Sequence, residues 1–350
     1  MKRTIRLFLP AFVLCFLCLF AGAQDNIYTQ YQNAPLYYNP ALTGADPGIR
    51  TYSLSRLAWM TSPFKMKSFD FSGDFGVRGI PGFGGVGIII SGNNYGGMMR
   101  DFRVGISISS RIKFSNNFAA QIGIKGSLFQ RKVDWDDFVF ADQLSGKYGN
   151  IYQISYISPE SDKVSVADFG AGVLLQYVSE SGAFANVTGM AVDHIFTPDV
   201  SFLSSSSSPY PRKWVVHSDV RISTKECSTC GMSGAGFADP LLINPAFLYQ
   251  SQGGFHTIQA GIDLVKFNFT LGIWYRYLAE STDVVSVKTG FRIPFSKESF
   301  LRLMYSIDLV DQNITDTPVM AHEFSLVFSF APVRHHKEKS AQPDNNPVSK

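Results

Sequence analysis

The chain has 350 residues, of which 17% are charged and 14% aromatic, so it carries less charge than soluble domains, in which about 25% of residues are charged. Its 31 lysines and arginines face 28 aspartates and glutamates, and three of the basic residues, Lys2, Arg3 and Arg6, stand at the very start. Without that basic start the charges balance, which removes the electrostatic argument for a nucleic-acid partner.

Residues 1–23 have the features of a cleavable signal peptide. The basic start is followed by an apolar run over 7–20 and then by small residues at 21–23. We expect the mature chain to begin at Gln24, with an N-terminal periplasmic segment over 24–48. The two cysteines of this region lie inside the apolar run, so they leave with the signal and predict no lipid anchor.

Polar and apolar side chains alternate along most of the remaining chain. Gln121 and Lys125 fall on one face of a strand while Ile122 and Ile124 fall on the other, because side chains alternate with a period of two. A soluble β-sandwich could alternate too, but segments of about 10 to 13 residues suit a tilted membrane strand, which needs about 9–11. Soluble strands average about 5–6 residues.

The pattern therefore predicts one all-β domain over 49–330, a transmembrane antiparallel outer-membrane β-barrel of about 14 strands. We place these strands near 49–59, 65–77, 83–93, 101–112, 117–131, 167–178, 182–193, 214–223, 241–251, 255–265, 268–278, 284–294, 298–309 and 319–330.

Connection lengths give the predicted barrel a direction. If the chain enters from the periplasm, the long connections 132–166, 194–213 and 310–318 are extracellular and most periplasmic connections are short, as outer-membrane barrels require. The exception is 224–240, which is long and falls on the periplasmic side. The proline-containing tail 331–350 is predicted to be disordered in the periplasm.

Cys227 and Cys230 are the only cysteines after the signal, and they lie in the long periplasmic connection. In an oxidising periplasm a disulfide is favoured. Free thiols or a metal site are the alternatives, although no histidine is near in sequence. Redox catalysis is the least favoured, because nothing around the pair indicates a thioredoxin-like unit.

For two other motifs, an interpretation without a bound ligand is favoured. The G-x-G-x-x-G pattern at 82–87 is followed by strand residues instead of a helix, which favours glycines that relieve crowding in a curved strand over a nucleotide site. The acidic residues of the first long loop could gather calcium, but a solvated loop is favoured. These acidic residues are Asp134, Asp136, Asp137 and Asp142. We predict no metal site, no cofactor and no enzymatic activity, although barrel enzymes can combine distant residues such as His194, His256 and His322.

The faces assigned to the lumen carry many charges. A cation-rich lumen could favour the passage of anions. We favour the alternative in which the charges pair and help to plug the barrel. The lumen residues are Arg103, Arg111, Lys113, Lys125, Arg276, Lys288, Arg292 and Arg302 against Asp263, Asp308 and Glu323.

The segment after the signal reads Tyr28-Thr-Gln-Tyr-Gln-Asn-Ala-Pro-Leu-Tyr-Tyr-Asn-Pro-Ala-Leu-Thr-Gly44, and it resembles the opening of the PorP/SprF family, Q-Y…P-L-x-x-N-P-A-x-x-G. The resemblance runs over nearly the whole mature chain, although Ala34 stands where the family more often has a polar residue. Further similar positions are Arg56 and Trp59 with Pro63, Leu242-Ile-Asn-Pro245-Ala-Phe, Gly272-Ile-Trp-Tyr-Arg276 and His322-Glu323-Phe324.

The resemblance implies a non-enzymatic outer-membrane component of the type IX secretion system of Bacteroidetes. Such a protein supports export or surface attachment of proteins that bear a C-terminal sorting domain. Its implied partners are periplasmic and outer-membrane secretion components, the secreted surface protein and outer-membrane lipid. The rival interpretation is a general diffusion porin or small-solute transporter, and an outer-membrane enzyme is a third.

The turn residues of the N-terminal segment are candidate partner-binding residues. Pro presets φ and Gly permits positive φ, so Pro35, Asn39, Pro40 and Gly44 are predicted to fix this segment as a plug or rim at the periplasmic mouth. Together with 224–240 and 331–350 it would form a docking surface for periplasmic partners. The outer loops 132–166 and 194–213 would meet the exported protein.

Overall fold

The computed structural model describes residues 25–60, 65–77, 80–145, 147, 149–150, 155, 161–203, 206–224, 240–279, 283–296, 299–310 and 320–330. The predicted signal peptide, the Cys227 and Cys230 pair and the tail 331–350 lie outside these ranges. Their predictions therefore stay predictions.

Fourteen strands form one closed barrel, as the sequence predicted. Each strand pairs antiparallel with its neighbours, and β1 closes the wall against β14 in a register that places Ile49 opposite Phe330. The strands are β1 Gly48–Ala58, β2 Met66–Gly76, β3 Gly82–Tyr95, β4 Met99–Lys113, β5 Phe118–Val133, β6 Lys163–Val178, β7 Phe184–Asp193, β8 Lys213–Ser223, β9 Leu242–Gln252, β10 Phe255–Lys266, β11 Phe269–Leu278, β12 Val284–Pro294, β13 Phe300–Val310 and β14 Met320–Phe330.

The two faces of the wall differ as the alternation predicts. On β11, Ile273 is 65% exposed to the outside, whereas the next residue, Trp274, is 1% exposed and faces the interior. On β5, Ile122 and Ile124 are exposed while Lys125 is buried. An apolar outer face with a polar inner face is the arrangement that a barrel surrounded by lipid requires. Among the described residues, no helix is long and apolar enough to cross a membrane.

The two ends of the barrel differ in their connections. We call the end where β1 begins the lower end, and the opposite end the upper end. The longest connections at the upper end are 134–162 and 194–212. At the lower end all connections are short except 224–241, the exception that the sequence analysis also found. The predicted asymmetry is therefore present in the fold.

Residues 25–45, which we call the plug, lie inside the barrel. Pro35–Tyr38 form one helical turn, and the 3-10 turns Tyr31–Asn33 and Pro40–Leu42 flank it. The plug starts near the upper end and descends to the lower end, where β1 begins. The sequence predicted an element at one mouth, but the segment runs down the interior instead, because its polar groups find partners at every depth of the wall.

Candidate functional site

The plug is held close to its start by two carboxylates of the wall. The backbone N–H groups of Thr29 and Gln30 donate to Oε1 and Oε2 of Glu323, each at 2.8 Å. The hydroxyl of Thr29 donates to Asp308 at 2.6 Å. Hydrogen bonds to a charged acceptor are roughly twice as strong as neutral ones, so this pair of carboxylates fixes the plug at a defined position.

Two arginines neutralise these carboxylates. Arg56 lies 2.8 Å from Asp308 and also pairs with Glu323. Arg276 pairs with Asp308 at 3.4 Å and contacts the hydroxyl of Thr29. Arg276 and both carboxylates are buried and the Arg56 side chain is only 12% exposed, and a buried charge is tolerated only when it is paired and hydrogen-bonded. We call this group the middle anchor, and its members are Thr29, Gln30, Arg56, Arg276, Asp308 and Glu323.

The middle anchor joins the segments that carry the family resemblance. Thr29 and Gln30 belong to the opening motif. Arg56, Arg276 and Glu323 belong to three of the further positions, later in the chain, that resemble the family. Sequence reasoning placed Arg276, Asp308 and Glu323 in the lumen and favoured their pairing, which the contacts confirm. It did not bring these segments together, because alternation assigns a face to each residue but says nothing of which residues meet across the lumen.

A second group holds the start of the plug near the upper end. Asp25 accepts a hydrogen bond from the hydroxyl of Tyr210 at 2.7 Å and lies 2.7 Å from Nζ of Lys213. His194 lies between two carboxylates, with Nε2 3.1 Å from Asp25 and Nδ1 2.9 Å from Asp168. We call this group the upper anchor, and its members are Asp25, Asp168, Asp193, His194, Tyr210 and Lys213.

Burial and charge act in opposite directions on this group. Burial alone would raise the pKa of Asp25, but Lys213, Arg103 and His194 outweigh it and hold that pKa well below its usual range. Burial would likewise lower the pKa of His194, and the carboxylates of Asp25 and Asp168 raise it instead. The surrounding charges of the upper anchor therefore favour the ionised form of Asp25 and the protonated form of His194.

The lower half of the plug packs against glycines of the wall. Asn39 is fully buried, and its Nδ2 donates to the carbonyl of Val173 at 3.1 Å. A side chain at Gly172 would collide with the Asn39 amide, and one at Gly123 would collide with the backbone of Pro40. Small residues at these wall positions therefore let the plug approach the wall closely.

Gly44 ends the plug in the left-handed conformation, with a φ of 62°. Its N–H donates to Asp74 at 2.6 Å, and its Cα would contact any side chain at Gly85 of β3. The G-x-G-x-x-G pattern thus lies in a strand, as the sequence favoured. The close approach of the plug adds a second reason for glycine there.

The four candidate partner-binding residues lie together on the plug, and all four are buried. Pro35 and Pro40 stand at the first positions of their helical turns, where their fixed φ is compatible and their missing N–H is not needed. Asn39 accepts the N–H of Ala41, which caps the second turn. Asn39, Pro40 and Gly44 contact the wall, whereas Pro35 lines a cavity at the lower end, so a partner meets all four only if the plug moves. Their binding role stays a prediction.

Other candidate residues of the sequence analysis have separate surroundings. His256 lies 2.9 Å from the hydroxyl of Tyr249, and His322 lies 2.8 Å from that of Tyr305, whereas His194 belongs to the upper anchor. Within the described part of the chain, no three histidine, cysteine or acidic side chains are grouped so that they could hold a metal ion.

A cavity of about 300 Å³ lies beside the plug in the lower part of the barrel. Tyr31 and Tyr38 of the plug close its inner end, and the turn at Phe267 and Asn268 borders its outer end. Four arginines and several apolar side chains share its wall. The arginines are Arg50, Arg221, Arg292 and Arg302.

Solved structures with a similar architecture are outer-membrane channels. The CymD monoaromatic hydrocarbon channel is 12% identical, with a TM-score of 0.45, over 90% of this chain and 96% of that chain. The toluene transporter TodX of Pseudomonas putida is 9% identical, with a TM-score of 0.47, over 85% and 93%. The toluene transporter TbuX of Ralstonia pickettii is 11% identical, with a TM-score of 0.43, over 84% and 92%. At these identities the likeness concerns the fold alone.

The match to a protein family is more informative. No curated protein matches the chain. A family model described as type IX secretion system membrane protein PorP/SprF matches residues 20–328, which include the plug and nearly the whole barrel. With its lipid-compatible outer face and closed antiparallel wall, this protein is an outer-membrane β-barrel that belongs to the PorP/SprF family of type IX secretion system membrane proteins.

Proposed function

We propose that this protein is a non-enzymatic component of the type IX secretion system that supports export or surface attachment of proteins with C-terminal sorting domains. The observation that carries the proposal is the family match over 20–328. The residues of the family resemblance that meet at the middle anchor support the proposal, since Arg56, Arg276 and Glu323 all help to hold the plug. On this proposal the family motif encodes a plugged barrel.

The barrel acts as a closed scaffold in this proposal. The middle and upper anchors fix the plug at two depths of the lumen, and small polar solutes would need an open path that the plug occupies. The alternative, a general diffusion porin or small-solute transporter, requires such a path. Single-channel recording in a planar bilayer separates the two, because a scaffold stays closed and a porin gives a steady, sizeable conductance.

The lower end faces the periplasm in this proposal, because short turns lie on the periplasmic side of outer-membrane barrels. Periplasmic secretion partners would then dock at the connection 224–240 and the tail 331–350. Pro35, Asn39, Pro40 and Gly44 would take part when the plug is displaced. The upper connections would meet the exported protein.

Gentle extraction of a tagged copy from its own cells, followed by mass spectrometry, tests the secretion role. We expect other secretion components and a large surface protein to co-purify. Replacing 224–240 by a short turn should leave the barrel inserted but remove the periplasmic partners. Shortening 134–162 at the other end is the matched control, which should keep those partners. Recovery of the unaltered barrel alone, together with measurable conductance, would contradict the proposal and favour a porin.

A further inference from the structure

The cavity at the lower end of the barrel, which we call the lower cavity, carries two arginines on adjacent strands. Arg292 of β12 and Arg302 of β13 are directly opposite each other in the ladder, and both line the cavity. Like charges placed opposite each other destabilise a pair of strands. Both side chains point into the lumen, so the two guanidinium groups concentrate positive charge on one part of the cavity wall.

Arg302 is not neutralised by an acid of the described residues. Its Nη2 donates to the neutral side-chain oxygen of Asn33 at 2.7 Å. Its Nε has no hydrogen-bond partner among the residues that the structure describes, although it is buried. Arg302 lines the cavity and forms no ion pair with any described carboxylate, so its charge is available to an anion in the cavity.

The acids that line the cavity have partners of their own. Asp219 accepts a hydrogen bond from the hydroxyl of Tyr31 at 2.8 Å. Asp263 accepts a hydrogen bond from the indole N–H of Trp274 at 2.6 Å and forms an ion pair with Lys288. Asp46 pairs with Arg50. An anion from outside would therefore meet Arg302 without displacing one of these carboxylates.

The wall beside the arginines is apolar. Phe300 packs with Tyr52 and Val327, and all three line the cavity. The guanidinium carbon of Arg292 lies 4.2 Å from the centroid of the Phe300 ring, which orients that arginine along the apolar surface. A ligand that combines an anionic group with an apolar group fits both parts of this wall.

We propose that the lower cavity binds the carboxyl end of a peptide whose last residues are apolar. A guanidinium donates strong, charge-assisted hydrogen bonds to a carboxylate, so Arg302 can bind this group, and Arg292 beside it adds positive charge to the same part of the wall. The plug closes the inner end of the cavity, so it admits the end of a chain but no continuous chain. The cavity lies inside the barrel, and a phospholipid would have to leave the bilayer to place its headgroup there.

This proposal does not depend on the secretion role or on which end faces the periplasm, so its test uses purified protein. The mature barrel in lipid nanodiscs is titrated calorimetrically with acetyl-Leu-Phe, which carries a free carboxylate, and with the same dipeptide as its C-terminal amide. We expect saturable binding of the acid and at least about tenfold weaker binding of the amide, because charged hydrogen bonds are lost. Equal binding of the two, or no saturable binding of the acid, would overturn the proposal.

Variants locate the binding. Arg302→Gln should weaken binding of the acid about tenfold or more. The matched control is Arg100→Gln, which removes the same charge from an exposed position at the upper end and should leave binding unchanged. Unchanged binding by Arg302→Gln would place the ligand elsewhere and overturn the assignment.

Inorganic phosphate distinguishes a peptide site from a general anion site. Phosphate at the same concentration should leave binding of the dipeptide acid in place, because it lacks an apolar group. Full displacement by phosphate would favour a headgroup or free anion and contradict the peptide assignment. The comparison of acid with amide uses the unaltered protein, so it decides the proposal even if Arg302→Gln fails to fold.

Discussion

Nζ of Lys213 lies 2.7 Å from Oδ2 of Asp25, a residue 188 positions earlier in the chain. Lys213 is the first residue of β8, and Asp25 is the first residue of the plug. Both side chains are buried, at 0% and 5% exposure, so this ion pair is shielded from solvent. It ties the start of the plug directly to the wall, and its loss should free that part of the plug.

Replacing Lys213 by methionine should loosen the upper part of the plug. Removing one partner of a buried pair typically costs about 3–5 kcal/mol, because the other charge stays buried. We expect lower thermal stability and a rise in open-channel events in planar bilayers. Lys163→Met is the control, since Lys163 also begins a strand at the upper end but is exposed. Equal behaviour of the two variants would contradict the role of the pair.

Replacing Glu323 by glutamine should destabilise the middle anchor. The variant loses the negative charge that faces Arg56 and weakens the hydrogen bonds from Thr29 and Gln30. We expect a loss of about 3–5 kcal/mol in the free energy of unfolding, measured by urea titration in lipid. Glu180→Gln, in an exposed turn at the lower end, should change stability little. A similar loss in both would argue against the anchor.

The upper anchor should have a defined pH window. Asp25 has a lowered pKa, so its contribution to stability is present above its ordinary pKa and is lost as pH falls through the folded value. His194 has a raised pKa, so its contribution is present below its ordinary pKa and is lost as pH rises through the folded value. The protection of the first plug residues against hydrogen exchange, relative to the intrinsic exchange rate at each pH, should therefore be greatest between the two limits.

A His194→Gln variant should separate the two limits of that window. It removes the group that titrates at the alkaline limit, so protection at the start of the plug should no longer fall as pH rises through the raised pKa of His194. The acid limit, which belongs to Asp25, should remain. If the alkaline limit persists in this variant, a group other than His194 is responsible for it.

Replacing Gly172 by alanine should displace the lower half of the plug. The added methyl group would collide with the Asn39 side chain, and overpacking of this kind typically costs about 1–3 kcal/mol. Gly126→Ala on β5 is the matched control, because its nearest neighbour would lie at an ordinary 3.5 Å. Thermal denaturation in detergent should show a lower midpoint for the first variant alone.

Alternation was sufficient to predict the wall of this protein but not its contents. All fourteen strands lie where the period-two pattern placed them, with differences of a few residues at their ends. The largest extension is at the start of β6, predicted at 167 and found at Lys163, because β5 and β6 continue to pair above the lipid-facing region, with Lys132 opposite Lys163. The alternation is reversed there, because Val164 and Val166 face inward while Lys163 and Ser165 are exposed.

The plug and its anchors needed information that the pattern lacks. Pro35, Asn39 and Pro40 indicated a turn-rich segment, but irregular backbone has no period from which its depth in the lumen could be read. The sequence analysis named His194 only as one of three distant histidines and did not single out Asp25, because both lie outside the strands and their proximity depends on how the barrel closes. A lysine on the lumen face of a strand, such as Lys213, was the available hint that a buried acid lies opposite.

The position of the plug also sets the order in which this protein can be built. A wall that closes through β1 and β14 surrounds a segment whose charged groups are already bound to both halves of it. Threading that segment into a finished cylinder would require stripping every one of those groups of water without a partner. We therefore expect the first residues of the mature chain to lie inside the sheet while it is still curling. The hydrogen bonds between β1 and β14 should then form last.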